Sequence, residues 1–164
     1  MSPLSFISLG SNMGDRRAAC REALRRLGET PGVCVVRRSG LYRTEPVGTA
    51  PMPDFLNLAV AVDTTLPPQE LLAACKAIER ALGRTSRHLE PRPIDLDILF
   101  YGSEVLDEPA LRVPHPRLHE RRFVLEPLCE IAPDLRHPVL GWTVSKMLSF
   151  LKDGARVERL GDEC

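Results

Sequence analysis

The stretch Pro91-Arg92-Pro93-Ile94-Asp95-Leu96-Asp97-Ile98-Leu99-Phe100 constrains this chain more than any other. Ile94, Leu96, Ile98 and Phe100 alternate with Asp95, Asp97, Leu99 and Tyr101, the two-residue period of a half-buried strand. The period predicts the first set facing a core and the second facing a site. Residues two apart project the same way, so the Asp95 and Asp97 carboxylates stand side by side and repel unless a cation lies between them. Hard divalent ions prefer oxygen ligands, and magnesium usually takes one or two carboxylates plus substrate phosphates. Two ions about 3.5–4 Å apart can share such a pair. Arg92 is stiffened by a proline on each side. Carboxylates for metal beside a fixed guanidinium for phosphate suggest phosphoryl chemistry. Taken alone, the Asp-x-Asp fits a solvated strand face better than a site, so the rest of the chain decides.

At 164 residues the chain is long enough for one domain, 1–164, with a real core. Basic and acidic residues balance at 22 each, so no global field draws it to nucleic acid or an anionic membrane. Aromatics are 5%, which argues against a single-strand stacking surface. No apolar run approaches a membrane span, and the start, Met1-Ser2-Pro3-Leu4, has neither the basic region nor the apolar core of a signal peptide. A cytoplasmic location is the expectation. Cys20, Cys34, Cys75, Cys129 and Cys164 are scattered and odd in number, which predicts reduced thiols.

In chain order, Leu4 to Leu9 reads as a strand that ends in a Gly10-Ser11-Asn12 turn. Asp15 to Leu27 reads as a helix with Cys20, Ala23, Leu24 and Leu27 inward and five arginines on its solvated side, stopped by Gly28. Val33 to Thr44 reads as one long β-branched strand, followed by a proline-rich loop over 45–54 of a length that is often functional. Phe55 to Thr64 reads as a strand that buries Leu56, Leu58, Val60 and Val62, with Phe55 and Asn57 on the other face. Pro67-Pro68 opens a helix carrying Leu71, Cys75, Ile78 and Leu82, with Glu79 on the flank of that stripe and Gly83 at the end. The order strand, helix, strand, strand, helix, strand is the ferredoxin-like α+β pattern, an antiparallel βαββαβ core with helices on one face. The other face is expected to be open, with Asp95, Asp97, Phe55 and Asn57 on it. C-terminal additions follow: a strand or hairpin over 105–113, a stiff turn at Pro114-His115-Pro116, a short helix over 123–131 and an amphipathic helix over 143–151.

His115 and His119 have the spacing of some zinc helices, but Pro116 and the lack of an adjacent Glu argue against a zinc site. No Walker A, nucleophile-elbow or Cys/His pattern is present. What remains is a convergence of Asp95, Asp97, Arg84, Arg87, Arg92 and Arg121. Arginine suits oligophosphates because its planar fork binds oxygens in pairs and stays charged.

Several stretches together resemble the 6-hydroxymethyl-7,8-dihydropterin pyrophosphokinase family of the folate pathway. They are Leu9-Gly10-Ser11-Asn12, Tyr42-Arg43-Thr44-Glu45-Pro46, Asp54-Phe55-Leu56-Asn57, Gly83-Arg84, the 91–99 stretch, Val113-Pro114-His115 and Arg121 to Leu128. The resemblance runs from about Leu4 to Ile131 and implies a monomeric ferredoxin-like enzyme that transfers pyrophosphate from ATP to the pterin hydroxymethyl group and releases AMP. It implies that Asp95 and Asp97 ligate two magnesium ions and that Arg84 and Arg92 contact the phosphates. Thr44, Val47, Phe55, Asn57 and Phe123 would form the pterin pocket, and Glu79, Ile98, His115 and Arg121 would line the ATP site. Many family members carry Arg-Trp-Gly before the Pro-Arg, where this chain has Arg87-His88-Leu89-Glu90. Arg87, between Arg84 and Arg92, is expected to serve as that loop's phosphate contact. Lys76 stands where the family commonly has Gln. Two other readings compete: a metal-dependent nucleotidyl transferase that releases pyrophosphate, and a non-catalytic ferredoxin-like module that binds a small ligand.

Overall fold

The structure is a computed structural model that describes residues 4–46, 53–83, 93–152 and 154–164. The first unit is β1 (Leu4–Ser11) and α1 (Arg16–Glu29). The strand runs through Gly10 and Ser11, two residues into the expected turn. Asp15 caps α1, its carboxylate accepting from the Ala18 N–H at 3.1 Å. Gly28 lies inside the last turn of α1 and does not stop it; Thr30 does, in extended conformation.

The expected long strand is two, β2 (Val33–Arg38) and β3 (Leu41–Thr44), both paired to β4 (Phe55–Thr64). The break has a packing cause. Ser39 enters the ladder by its side chain, its Oγ accepting from the Ala59 N–H at 2.9 Å. A side chain on Gly40 would meet the Gly161 carbonyl and the Arg159 guanidinium at 2.6 Å. The gap therefore admits β8 (Val157–Gly161), a C-terminal strand that pairs with β3 and that the sequence reading did not find. Between these elements come α2 (Pro68–Ala81), β5 (Asp95–Tyr101), the small hairpin β6 (Leu106–Asp107) and β7 (Arg112–Val113), a short turn of helix over Leu118–Glu120, α3 (Arg122–Ile131) and α4 (Val144–Ser149). The main sheet runs β5-β1-β4-β3-β8, every pairing antiparallel. No described helix is long and apolar enough to cross a membrane.

Both faces of the sheet are covered. On one, α1 brings Cys20, Ala23 and Leu27, and α2 brings Leu71, Cys75 and Ile78, onto Ile7, Leu9, Leu58, Val60, Leu96 and Ile98. On the other, α3 and α4 place Val124, Leu125, Leu128, Val144 and Met147 against Phe6, Ala59, Ala61 and Phe100. The face expected to be open is thus half covered by the C-terminal helices, and the site occupies the remaining end. The second core also breaks the alternation of the organising strand. Phe6 pairs with Phe100 but Ile7 with Ile98, so Leu99 is an extra, bulged residue. Leu99 and Phe100 both join the α3/α4 core, while Tyr101 turns to the α1/α2 side and donates to the Leu66 carbonyl at 2.5 Å. Phe100 and Tyr101 therefore face opposite to expectation. Either core accepts an apolar residue, so composition alone does not reveal the bulge.

Candidate active site

The ladder sets out the site in rows. Asp95 pairs with Gly10, Gly10 with Asn57, and Asn57 with Tyr42, across four neighbouring strands. Asp97, Ser8 and Ala59 form the next row. Directly paired residues share a face, so both carboxylates and Asn57 lie on the side that α3 and α4 partly cover. Asp95 and Asn57 are two strand spacings apart, about 10 Å at the backbone. Gly10 between them is the floor: a Cβ there would collide with Asn57 Oδ1 and come within 3.5 Å of the Phe55 ring. Glycine in a strand marks such a close approach, a signal the turn reading of Gly10 missed. Asn57 is buried and donates through Nδ2 to Thr44 Oγ1 at 2.5 Å, and Thr44 is the ladder partner of half-buried Phe55. The structure therefore brings Thr44, Phe55 and Asn57 together. Half-buried Phe123 opens α3 on the same face, with the Arg121 guanidinium carbon 5.6 Å from its ring centre. Val47 lies outside the described residues.

Glu79 approaches the carboxylate pair from α2. It is almost fully buried, and its Oε2 accepts from the Leu96 N–H at 2.8 Å. Lys76 reaches its other oxygen at 3.4 Å. Burial raises the pKa of Glu79; the Leu96 N–H opposes this and the charge of Asp95 adds to it. Asp97, half-buried, is raised to about 7 by desolvation, then by Asp95 and Glu79, against the pull of Lys76 and Arg121. Desolvation and two acidic neighbours thus weigh against the charged form of Asp97, and a bound cation would relieve both. Among the described residues no group of three His, Cys, Asp or Glu forms a metal cage by itself. Two carboxylates that need a cation and leave most of its shell for phosphate oxygens suit magnesium.

His115 follows β7, with its N–H donating to the Leu99 carbonyl at 2.9 Å and its Nδ1 accepting from the Arg117 N–H at 3.3 Å. Burial, then the charges of Arg121 and Arg117, depress its pKa to about 4, with Asp95 opposing. The ring is neutral at physiological pH, and Nε2 carries its proton. Arg121, half-buried at the start of α3, has an Nε with no acceptor among the described residues. Burial lowers its pKa, with Asp97 and Asp95 among the charges that oppose this. A cavity of about 220 Å³ opens beside these groups, lined by Asp97, Ile98 and His115 together with Leu72, Lys76 and Leu111. Leu72 and Leu111 escaped the sequence reading, since apolar residues on a helix and a hairpin read as core. Arg84, Arg87 and Arg92 lie outside the described residues.

Residues 6–133 match the sequence model of the family described as 7,8-dihydro-6-hydroxymethylpterin-pyrophosphokinase (HPPK). The chain is 48% identical over 158 residues to a 2-amino-4-hydroxy-6-hydroxymethyldihydropteridine pyrophosphokinase of Methylorubrum extorquens, covering 95% of this chain and 98% of that one. It is 46% identical over 132 residues to the protein of the same name in Bacillus subtilis, covering 80% and 79%. Its fold is similar to that of a crystal structure of Plasmodium falciparum HPPK-DHPS with pteroate, with a TM-score of 0.73 at 16% identity. That match covers 91% of this chain and 44% of the Plasmodium one, so the chain spans less than half the length of that longer protein.

Proposed function

The chain belongs to the 7,8-dihydro-6-hydroxymethylpterin-pyrophosphokinase family, and from that membership we propose how its own residues carry the transfer of pyrophosphate from ATP to the pterin hydroxymethyl group. The observation that carries the proposal is the row Asp95–Gly10–Asn57. It sets a recognition edge for a flat heterocycle about 10 Å from a carboxylate pair, on one face of one sheet.

In this reading Asn57 bonds the pterin edge, because its amide offers both a donor and an acceptor. Phe55 and Phe123 stack on the ring and Thr44 holds Asn57 in place. Val47 is assigned to the same pocket from the family resemblance. The ring so held aims its hydroxymethyl group toward Asp95. Asp95 and Asp97 hold two magnesium ions, whose contribution when bound is to neutralise and align the ATP phosphates. The desolvation of Asp97 beside Asp95 and Glu79 supports that assignment. Arg121 faces the developing phosphate charge with an Nε–H that has no acceptor among the described residues, and neutral His115 donates from Nε2. Glu79 orients β5 through Leu96, and Ile98 lines the nucleotide cavity. Arg84, Arg87 and Arg92 are assigned as further phosphate contacts from their positions in the sequence.

Transfer forms a bond from the hydroxymethyl oxygen to the β-phosphorus as the bond from that phosphorus to the α,β-bridging oxygen breaks, and AMP leaves. Asp95 acts first as ligand and also stands as acceptor for the hydroxyl proton. Positioning and charge neutralisation supply most of the acceleration. Incubation with magnesium, ATP and the reduced hydroxymethylpterin, followed by separation of the nucleotides, tests the reading. AMP and the pyrophosphorylated pterin in equal amounts are expected. Release of pyrophosphate would turn the assignment to nucleotidyl transfer, and no turnover to a binding module.

A further inference from the structure

We infer that Lys76 changes partner when nucleotide binds: its ammonium passes from Glu79 to the phosphate chain and sets how strongly this chain holds phosphate. The inference rests on the reading of the cavity as the nucleotide site. α2 presents two unlike residues to that cavity. Leu72 and Lys76 stand four residues apart and share one face of the helix, and both line the cavity. Leu72 is half-buried and packs against the α1/α2 core. Lys76 lies beside Glu79, whose carboxylate holds the Leu96 N–H at the start of β5. The wall thus passes from apolar to cationic along α2, toward the strand that carries Asp97. A nucleotide is built the same way, a flat base joined to a chain of phosphates.

The ammonium is held in a way that lets it move. Glu79 is fixed from elsewhere: its Oε2 accepts from the Leu96 N–H at 2.8 Å, and its side chain is only 3% exposed. Lys76 Nζ stands 3.4 Å from the other oxygen, beyond the usual length of a hydrogen bond, and its side chain is 48% exposed. A flexible stem and three N–H donors let such a group change acceptors without moving the helix. Its charge already acts on the carboxylate pair. Desolvation, Asp95 and Glu79 raise the pKa of Asp97, and Lys76 heads the cations that oppose them. Arg112 also lines the cavity, but it is exposed and pairs with Asp107 at 3.1 Å. Magnesium at Asp95 and Asp97, as proposed above, would take over the neutralising role of Lys76 there. The ammonium is then available to the phosphates that arrive with the metal.

The test titrates a non-hydrolysable ATP analogue with magnesium into wild type, Lys76→Gln, Lys76→Arg and Leu72→Ala by calorimetry, across a range of sodium chloride. Steady-state kinetics and thermal melting are run alongside. Lys76→Gln keeps a polar side chain and loses the charge. It should bind the analogue about tenfold more weakly, the scale of one charge-assisted hydrogen bond. Its affinity should also fall less steeply with salt than that of wild type, because one screened ionic contact is gone. Lys76→Arg should stay within about threefold of wild type. Leu72→Ala removes only apolar contact, so it should weaken binding and keep the wild-type salt dependence. In kinetics Lys76→Gln should raise the ATP KM and leave the pterin KM unchanged. Lys76→Met carries the same comparison if Lys76→Gln melts early. Binding within about twofold of wild type for Lys76→Gln, beside a weakened Leu72→Ala, overturns the inference alone. So does a loss that keeps the wild-type salt dependence, which would mean that Lys76 acts only by holding Glu79, or an equal rise in the pterin KM. Lys76→Gln and Leu72→Ala that both bind like wild type overturn the cavity assignment and the inference with it.

Discussion

Asp97→Asn should abolish turnover and yet make the ligand-free protein more stable above neutral pH. Asp97 goes from an ordinary 3.8 to about 7 on folding, because the folded chain desolvates it and sets Asp95 and Glu79 near it. Below about pH 4 it is protonated in both states and contributes nothing. Between pH 4 and 7 the unfolded chain has released its proton and the folded chain has not, so stability falls as pH rises. Above pH 7 both are ionised and the folded chain bears the whole penalty. A shift of that size sets a ceiling of roughly 4 kcal/mol. The half-buried carboxylate keeps some solvent screening, which reduces the expectation to about 1–2 kcal/mol. For a chain of this length that is roughly 3–6 °C in melting temperature. The assay is thermal melting from pH 3.5 to 8.5 with a chelator and no nucleotide. The variant should match wild type at the acid end and rise above it from about pH 5 upward. Addition of magnesium with an ATP analogue should then stabilise wild type far more than the variant. A variant that melts at or below wild type at pH 8 in chelator would refute the electrostatic argument. Equal stabilisation by magnesium and the analogue would refute the ligand role.

Gly10→Ala should leave the fold intact and displace Asn57, since the added methyl collides with Asn57 Oδ1; pterin affinity should fall tenfold or more, on the scale of about 1–3 kcal/mol for an unpaired amide edge, and wild-type affinity in the fluorescence titration would show that Gly10 is not the floor. Glu130→Ala should lower stability by roughly 1–2 kcal/mol, because Glu130 accepts from the Gly40 N–H, the Tyr42 hydroxyl and the Arg159 guanidinium at 3.0, 2.7 and 2.9 Å. An unchanged melting curve would mean that this junction of α3, β3 and β8 is dispensable, and a changed ATP KM would mean that it reaches the nucleotide site.

Local pattern was enough for the order of elements through β5, apart from the break within 33–44, for the inward faces of α1, α2 and β4, and for the placing of Asp95 and Asp97 on one side of one strand. Those features are periodic, and periodicity is local. Tertiary structure decided whatever depends on a second surface. Leu99 and Phe100 turn to the α3/α4 core because that core exists, and a bulged residue is invisible when either side accepts an apolar group. The strand over 33–44 breaks at Ser39-Gly40 because β8 passes there, and β8, short and without a fully buried residue, announces itself only by its partner. Gly10 lies within a strand because β4 and β5 pair on either side of it, and it forms the floor because Asn57 and Phe55 fold over it. Glu79 reads as the flank of a helix, yet it is almost fully buried, because the first peptide of β5 needs its carboxylate. In each case the deciding contact joins residues far apart in the chain, and no local pattern encodes which surfaces will meet.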